Sequence, residues 1–570
     1  MHRFLILLVF AGWTLPAMAK ESQPNVIVVI TDDQGYGDVG AHGNSMIQTP
    51  NLDVLHSQSV RLTDYHVDPT CSPTRSALMT GRYSTRTGVW HTIMGRSLMS
   101  SQEYTVAEVF RDGGYTTGMF GKWHLGDNYP VRPQDQGFDY TFIHGGGGVG
   151  QGPDYWGNDY FDDTYWRNGK PEAQTGYCTD VWFNDALKFI ERNRKKPFFA
   201  YISTNAPHGP YLVAEKYSDP YKEKGVGSPQ AEFYGMVENI DENMGKLMAK
   251  LDELKLADNT ILIFTTDNGS AAGWRPAKNG TWKGFNAGMR AGKGSNFDGG
   301  HRVPMFIRWP NGELTGGRDV DTLCAHIDVL PTLAELCALE DVRASDRDGE
   351  SLKSILYGDK ESLRDRILTV HSQRVENVEK YRNYAVMSER WRLLNQNQLY
   401  DIKADPGQEN NVFEKHPDVA KKLSDAYEAW WKSLSPAFDM TVRIGVGYKA
   451  QSESLLHSHD WHTNNTNTPW HQNHVMSGAI GNGYWALDIA KNAKYQIELR
   501  RWPRHVDKGM DAVSATIEIG GQTITQEVPA GVTSVIFEVE LQQGANDLLT
   551  KMKLKDGKVR GSYFAYLKKK

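Results

Sequence analysis

The stretch Asn25-Val-Ile-Val-Val-Ile30 runs without a break into Thr31-Asp32-Asp33-Gln34-Gly35. A short, nearly continuous β-branched run that stops abruptly in polar, glycine-containing sequence reads as a strand covered on both faces, the environment of a parallel sheet. The theme recurs. Thr116-Thr-Gly-Met-Phe120 precedes Gly121-Lys122-Trp123-His124, Phe198-Phe-Ala-Tyr-Ile-Ser203 precedes Asn205-Ala-Pro-His208, and Thr260-Ile-Leu-Ile-Phe-Thr-Thr266 precedes Asp267-Asn268-Gly269. Helical stretches lie between. Thr49-Pro50, followed by Leu52, Leu55 and Val60, predicts a capped helix with Pro at its first position. Thr105-Val-Ala-Glu108 predicts a capping box. Strand and helix in alternation mean a doubly wound α/β domain. In such sheets the polar residues just beyond the strand ends share one rim, where sites form. Four polar clusters distant in sequence are therefore expected to meet.

Outward from that domain, the chain of 570 residues is too long for one core; at roughly 150 residues per domain, two to four are expected. The charge balance, 63 basic against 69 acidic residues, argues against a general nucleic-acid binder, because no basic excess exists to neutralise phosphates. An anionic small substrate stays open, since only its pocket need be positive. Arg3, the apolar run Phe4 to Leu15 and Ala17-Met18-Ala19 predict a signal peptide over residues 1–19, cleavage after Ala19, and export to the periplasm or medium. That run is too short to span a membrane, and no other long apolar run follows. Four cysteines do not make a disulfide framework, although one pair is possible; Cys178, Cys324 and Cys337 read as buried small hydrophobes.

The catalytic domain is expected over 20–365. Over 366–436, Tyr384-Ala-Val-Met and Trp391-Arg-Leu-Leu read as strands and Pro417 to Leu434 as an amphipathic helix, a small antiparallel α+β subdomain. Over 437–570, alternation in Trp485-Ala-Leu-Asp-Ile, Tyr495-Gln-Ile-Glu-Leu, Ala515-Thr-Ile-Glu-Ile and Val535 to Leu541 predicts a β-sandwich module. His457, His459, His462, His471 and His474 match no zinc spacing and read as a solvated or hydrogen-bonded linker. Trp461, Trp470, Trp485 and Trp502 give the module an aromatic load fit either to hold a glycan or to cap the catalytic domain.

Asp32-Asp33 and Asp267-Asn268 each close a strand. Adjacent carboxylates are costly unless something positive binds them, and oxygen donors on one rim suit a hard divalent cation rather than zinc. Cys71-Ser72-Pro73-Thr74-Arg75 opens a short helix, so Cys71 meets backbone N–H groups that favour an anion, and Arg75 lies one turn further on the same face. On chemistry alone Cys71 is either an activated thiolate or a packed helix-start cysteine.

Cys71-Ser-Pro-Thr-Arg75 with Ser76-Ala-Leu-Met-Thr-Gly81-Arg82 resembles the first signature of the sulfatase family. Gly114 to Gly126, containing Lys122 and His124, resembles the second, and Lys293-Gly-Ser-Asn-Phe-Asp-Gly-Gly300-His-Arg-Val-Pro304 a third block. With Asp32-Asp33, His208 and Asp267-Asn268, the resemblance covers roughly 24 to 434. It implies an alkaline-phosphatase-like fold and oxidation of Cys71 by a formylglycine-generating enzyme. The formylglycine, as a gem-diol, would attack sulfur and form a covalent sulfo-enzyme intermediate. The resemblance implies Ca2+, with Mg2+ possible, bound by Asp32, Asp33, Cys71, Asp267 and Asn268. Arg75 and Lys122 would fix the diol, His124 take its proton, and Lys293 and His208 bind sulfate and protonate the leaving oxygen. Export and aromatics point to a sulfated poly- or oligosaccharide as substrate. His144, which opens the run Gly145 to Gly148, is a candidate sugar contact together with Tyr155, Trp156 and His301. The competing readings are a phosphatase or phosphodiesterase of the same fold, which usually carries Ser or Thr and two zinc ions, and a catalytically dead glycan-binding protein.

Overall fold

The computed structural model describes residues 23–570 apart from 277, 279, 361, 362, 364, 465 and 466. The expected signal peptide lies outside the described residues. Asn25–Thr31 is a strand with all seven residues buried, near the middle of a ten-stranded mixed sheet. Its side chains alternate between two cores. Val26, Val28 and Ile30 join one cluster with Leu78, Met79, Phe110, Leu330 and Leu333. Ile27 and Val29 join another with Leu52, Leu55, Trp182, Phe189, Met236 and Ile240. The helices Cys71–Thr80, Val106–Asp112 and Val329–Leu336 thus cover one face, and Pro50–Gln58, Cys178–Asn193 and Gln230–Glu253 the other. This double burial is why the strand reads as an unbroken apolar run.

Asn25–Thr31 pairs in parallel with Phe198–Ser203 and Thr260–Thr266. Thr116–Lys122 continues the parallel order between Phe198–Ser203 and Tyr140–His144. Met305–Arg308 and Thr164–Arg167 add antiparallel strands on the two sides. Asp32, Lys122, His144 and Asp267 therefore all leave the same edge of the sheet. Thr105 and Glu108 form both bonds of the expected capping box. Thr49 does not cap its helix: its hydroxyl accepts from the Gly40 amide and donates to Asp53, although Pro50 does open the helix.

A four-stranded antiparallel sheet, Leu368–His371, Tyr384–Met387, Trp391–Leu394 and Gln398–Asp401, follows. One face buries Val386 and Leu393 under Leu423, Tyr427 and Trp430 of the helix Pro417–Leu434; the other packs on Ala77, Leu323 and Ile327. From Ile444 two sheets of six and four strands form a sandwich around Trp461, Trp485, Ile497, Ile517 and Phe537. The histidine-rich stretch is no solvated linker. Glu453–His457 is a strand paired with Phe564–Lys569, and His457, His459 and His462 are buried. Trp461, Trp485 and Trp502 are core residues, so only half-buried Trp470 keeps accessible surface for a ligand. All four cysteines are free and buried. Among the described residues no helix is long and apolar enough to cross a membrane.

Candidate functional site

The rim gathers the polar clusters as the parallel topology requires. Cys71 occupies the first turn of Cys71–Thr80, a helix buried along its whole length, and Arg75 follows one turn later. Asp32, Cys71 and Asp267 bring one ligand atom each within 4.8 Å of one another. Asp267 is the hub. Its Oδ2 accepts from Arg75 Nη2 at 2.7 Å and Nε at 3.0 Å, and its Oδ1 accepts the Asp33 amide at 3.1 Å. Arg75 also donates to the Lys122 carbonyl at 3.1 Å and touches Ser203. Lys122 Nζ lies 2.6 Å from Asp32 Oδ2, and Lys293 Nζ 2.6 Å from Asp33 Oδ1. Asn268 Nδ2 donates to Asp33 Oδ1 at 2.9 Å. His208 Nε2 stands 3.8 Å from Asp33 Oδ2, with its Nδ1 donating to the Gly209 carbonyl at 2.6 Å.

These charges sit out of water, so their balance is tight. Burial, only partly offset by Lys122, pushes the Asp32 carboxyl well above the usual carboxylate range. Burial acts on Asp33 too, but Lys293 and His208 outweigh it and hold that carboxyl low. Arg75 does the same for Asp267. Asp32 Oδ1 and Asn268 Oδ1 are buried without a hydrogen-bond partner. Buried oxygen lone pairs beside three carboxylates fit a hard cation. Asp33 and His124 both have positive φ, 73° and 59°, a costly backbone state for residues other than glycine, held here by the surrounding bonds.

His124 Nε2 lies 2.9 Å from the Thr92 carbonyl. A carbonyl only accepts, so Nε2 carries the proton and Nδ1, buried and unpartnered, keeps a bare lone pair. Burial, with Lys122 and His459 adding repulsion, holds this imidazole neutral. Burial and Lys293 likewise bring His208 down to about 4. The Gly145–Gly150 loop closes on both rings. A Cβ on Gly147 would stand 2.1 Å from His124 Cε1, so only glycine lets the chain lie there.

Cys71, Arg75, Lys122, His124, His208, Lys293, Asp32, Asp33, Asp267 and Asn268 are thus brought together. Of the four expected sugar contacts, His144 lies on this same rim, and the other three pack against residues outside this cluster. His144 is fully buried beside Lys122 in register, its Nδ1 bonded to the Gly145 carbonyl. His301 is buried against His66, 2.9 Å between Nδ1 atoms, with Nε2 on the Asn296 carbonyl. Tyr155 stacks on His505 at 4.2 Å, and Trp156 packs edge-on to Trp502. Both aromatics join the sandwich to the catalytic domain. Sequence reasoning passed over Arg374. It is exposed, has a φ of 48°, and its Nη2 comes within 3.7 Å of the space a Cβ on Gly294 would fill, next to Lys293. Nothing in its local sequence signals that position.

The fold is alkaline-phosphatase-like, and with the matches that follow it defines a hydrolase of sulfuric esters. The chain belongs to the Sulfatase family, which matches residues 24–338, and the C-terminal region of N-sulphoglucosamine sulphohydrolase matches 293–431. It is 31% identical over 389 residues to the N-acetylgalactosamine-6-sulfatase of Canis lupus familiaris, covering 62% of this chain and 70% of that one. It is 28% identical over 498 residues to the N-acetylgalactosamine-6-O-sulfatase of Bacteroides thetaiotaomicron, covering 72% and 93%. The crystal structure of Ps i-CgsB in complex with k-i-k-neocarrahexaose superimposes with a TM-score of 0.64 at 27% identity, over 72% of this chain and 93% of that one.

Proposed function

We propose that this sulfatase removes sulfate from a poly- or oligosaccharide, with Cys71 as its nucleophilic position. The observation that carries the reading is the convergence of Cys71 Sγ with Asp32 and Asp267 at a helix start, with Arg75 bound to that same Asp267. A Cys71 oxidised to formylglycine by a formylglycine-generating enzyme would supply a hydrated aldehyde as nucleophile. A hard cation, Ca2+ or alternatively Mg2+, held by Asp32, Asp33, Asp267, Asn268 and the modified Cys71, would supply positive charge to a sulfate oxygen. The chain's own groups do the rest. Arg75 and Lys122 direct N–H donors at oxygens in the site, and His124 Nδ1 is the accepting lone pair for a proton. The Asp33 carboxylate, against the cost of burial, keeps Lys293 protonated at neutral pH, able to bind sulfate and give a proton to a leaving alkoxide. An anionic ester between Lys293 and His208 would raise the His208 value and ready Nε2 for the same task. Export to the periplasm or medium completes this reading, and the glycan names of the relatives support the substrate class. Sulfate release from a panel of sulfated oligosaccharides tests it.

Leaving-group protonation has its own test. His208→Ala should lower hydrolysis of a sugar sulfate on the order of 10²-fold more than that of nitrophenyl sulfate, whose phenolate needs no proton. Equal losses on both would assign His208 to sulfate binding alone. Arg374, beside Lys293 and without an ion pair among the described residues, is assigned to a second acidic group on the glycan. Arg374→Ala should raise KM about tenfold for an oligosaccharide with two acidic groups, the worth of one charge-assisted bond, and leave nitrophenyl sulfate unaffected. An unchanged KM on both substrates would remove Arg374 from the site.

A further inference from the structure

The Thr92 carbonyl chooses the tautomer of His124, and the loop that carries Thr92 does not hold itself. Trp90–Arg96 reverses through Trp90 N and His91 N on the Arg96 carbonyl, with positive φ at Met94 and Gly95. Its outside anchors come from beyond the catalytic domain. The Met94 amide donates to the His459 carbonyl at 2.8 Å. Arg96 Nη1 donates to the Met440 carbonyl at 2.7 Å and Nη2 to Glu376 Oε1 at 2.9 Å. That same Glu376 oxygen takes His462 Nδ1 at 2.9 Å, and all three side chains are buried or nearly so. A Cβ on Gly95 would fall 2.3 Å from His462 Nε2, so glycine and imidazole meet face to chain.

The opposite wall of His124 is held from the same module. Gly147 lies on its ring, and the following Gly150 and Gly152 exchange backbone bonds with Gln472 and Trp470 at 2.9 and 2.8 Å. Gln472 Nε2 reaches the carbonyls of Gln151, Asp154 and Tyr155 at 3.2 to 3.4 Å.

We propose that the sandwich module is a working part of the catalytic site: His462, through Glu376 and Arg96, holds the loop whose Thr92 carbonyl keeps the proton of His124 on Nε2. His462, Glu376 and Arg96 are positioning residues. They touch no substrate and act through the one histidine whose free Nδ1 accepts a proton. The inference rests on that reading of His124 and assigns a role to His462, which lies beyond both family matches, 24–338 and 293–431. Losing the anchor frees the loop to turn the carbonyl away, and the imidazole can then place its proton on either nitrogen.

The test uses the full-length enzyme. His462→Ala should lower kcat on nitrophenyl sulfate on the order of tenfold to hundredfold, the usual result of slight misplacement, with KM within about twofold. His462→Asn, whose amide nitrogen stands where Nδ1 stood, should recover most of the loss. Glu376→Gln repeats the experiment from the acceptor side with little change of shape. Nitrogen-15 histidine spectra should show His124 as the neutral Nε2–H tautomer in the parent and as a mixture of the neutral Nδ1–H and Nε2–H tautomers in His462→Ala. Ile517→Ala, in the sandwich core and away from the loop, serves as the stability control: it should lower Tm and leave kcat alone. The proposal is overturned if His462→Ala keeps full kcat while His124→Ala is inactive. It is equally overturned if His462→Asn is no better than His462→Ala, or if kcat follows Tm through the whole set, Ile517→Ala included. Full activity in His124→Ala would instead overturn the reading of His124 itself.

Discussion

Cys71→Ala is expected to abolish turnover, by on the order of 10⁴-fold or more, in a protein that still folds. The loss would follow from removing the proposed nucleophilic position on the cationic rim, where Arg75, Lys122 and Lys293 gather. Folding survives because Cys71 Sγ makes no hydrogen bond among the described residues, so truncation strands no partner and removes a single buried atom. The change in stability should stay under roughly 2 kcal/mol by thermal melting. Peptide mass spectrometry of enzyme made in a host with the converting activity should find an aldehyde or its hydrate at residue 71. Fully active protein with an unmodified thiol there would overturn the assignment, as would substantial turnover by Cys71→Ala.

Removal of divalent cations comes next in size. Exhaustive chelation should bring activity to background, and Ca2+ or Mg2+ should restore it and raise Tm in proportion to the logarithm of its concentration. The reason lies in Asp32 Oδ1 and Asn268 Oδ1, buried oxygens that find no protein donor. Asp267 extends the test. Asp267→Asn keeps the shape and loses the charge that a cation and Arg75 share, so it should be inactive and unresponsive to added metal. Asp267→Ala should also be less stable, by about 3–5 kcal/mol, because Arg75 is left as an unpaired buried charge. Activity that survives chelation, or returns with Zn2+ alone, would end the hard-cation assignment.

Much of this site can be read from one dimension because burial on two faces leaves a plain trace. Asn25–Thr31 is apolar from end to end since each neighbour in the chain feeds a different core, and Asp32 is where that requirement stops. The rim follows from parallel pairing, without any knowledge of contacts. Thr105 and Glu108 were legible for another reason: a cap is local. What failed was anything decided by a distant partner. Thr49 carries a capping side chain, yet Gly40 and Asp53 claim it. Tyr155 and Trp156 have faces that suit a sugar equally well as a neighbouring ring, and His505 and Trp502 supply the ring. His462 sits in a polar stretch with no periodicity, and its partner Glu376 lies 86 residues away. Composition favoured solvent for that segment; the fold turned it inward.

The position of Phe564–Lys569 bears on the order of events during synthesis. That strand lies between Glu453–His457 and Ala493–Arg500, so the sheet from which the His459 to His462 segment hangs stays open until it arrives. From residue 71 to residue 564 is a stretch of 493 residues. At about 5–20 residues per second a ribosome takes roughly 25–100 s to cover it. During that interval Cys71 has emerged while the wall beside His124 does not yet exist. In the finished chain Cys71 is only 3% exposed, at the start of a helix that is buried throughout. A maturation enzyme that had to surround this cysteine would therefore have its opening before the module closes, and the length of chain from Cys71 to that strand would set how long the opening lasts.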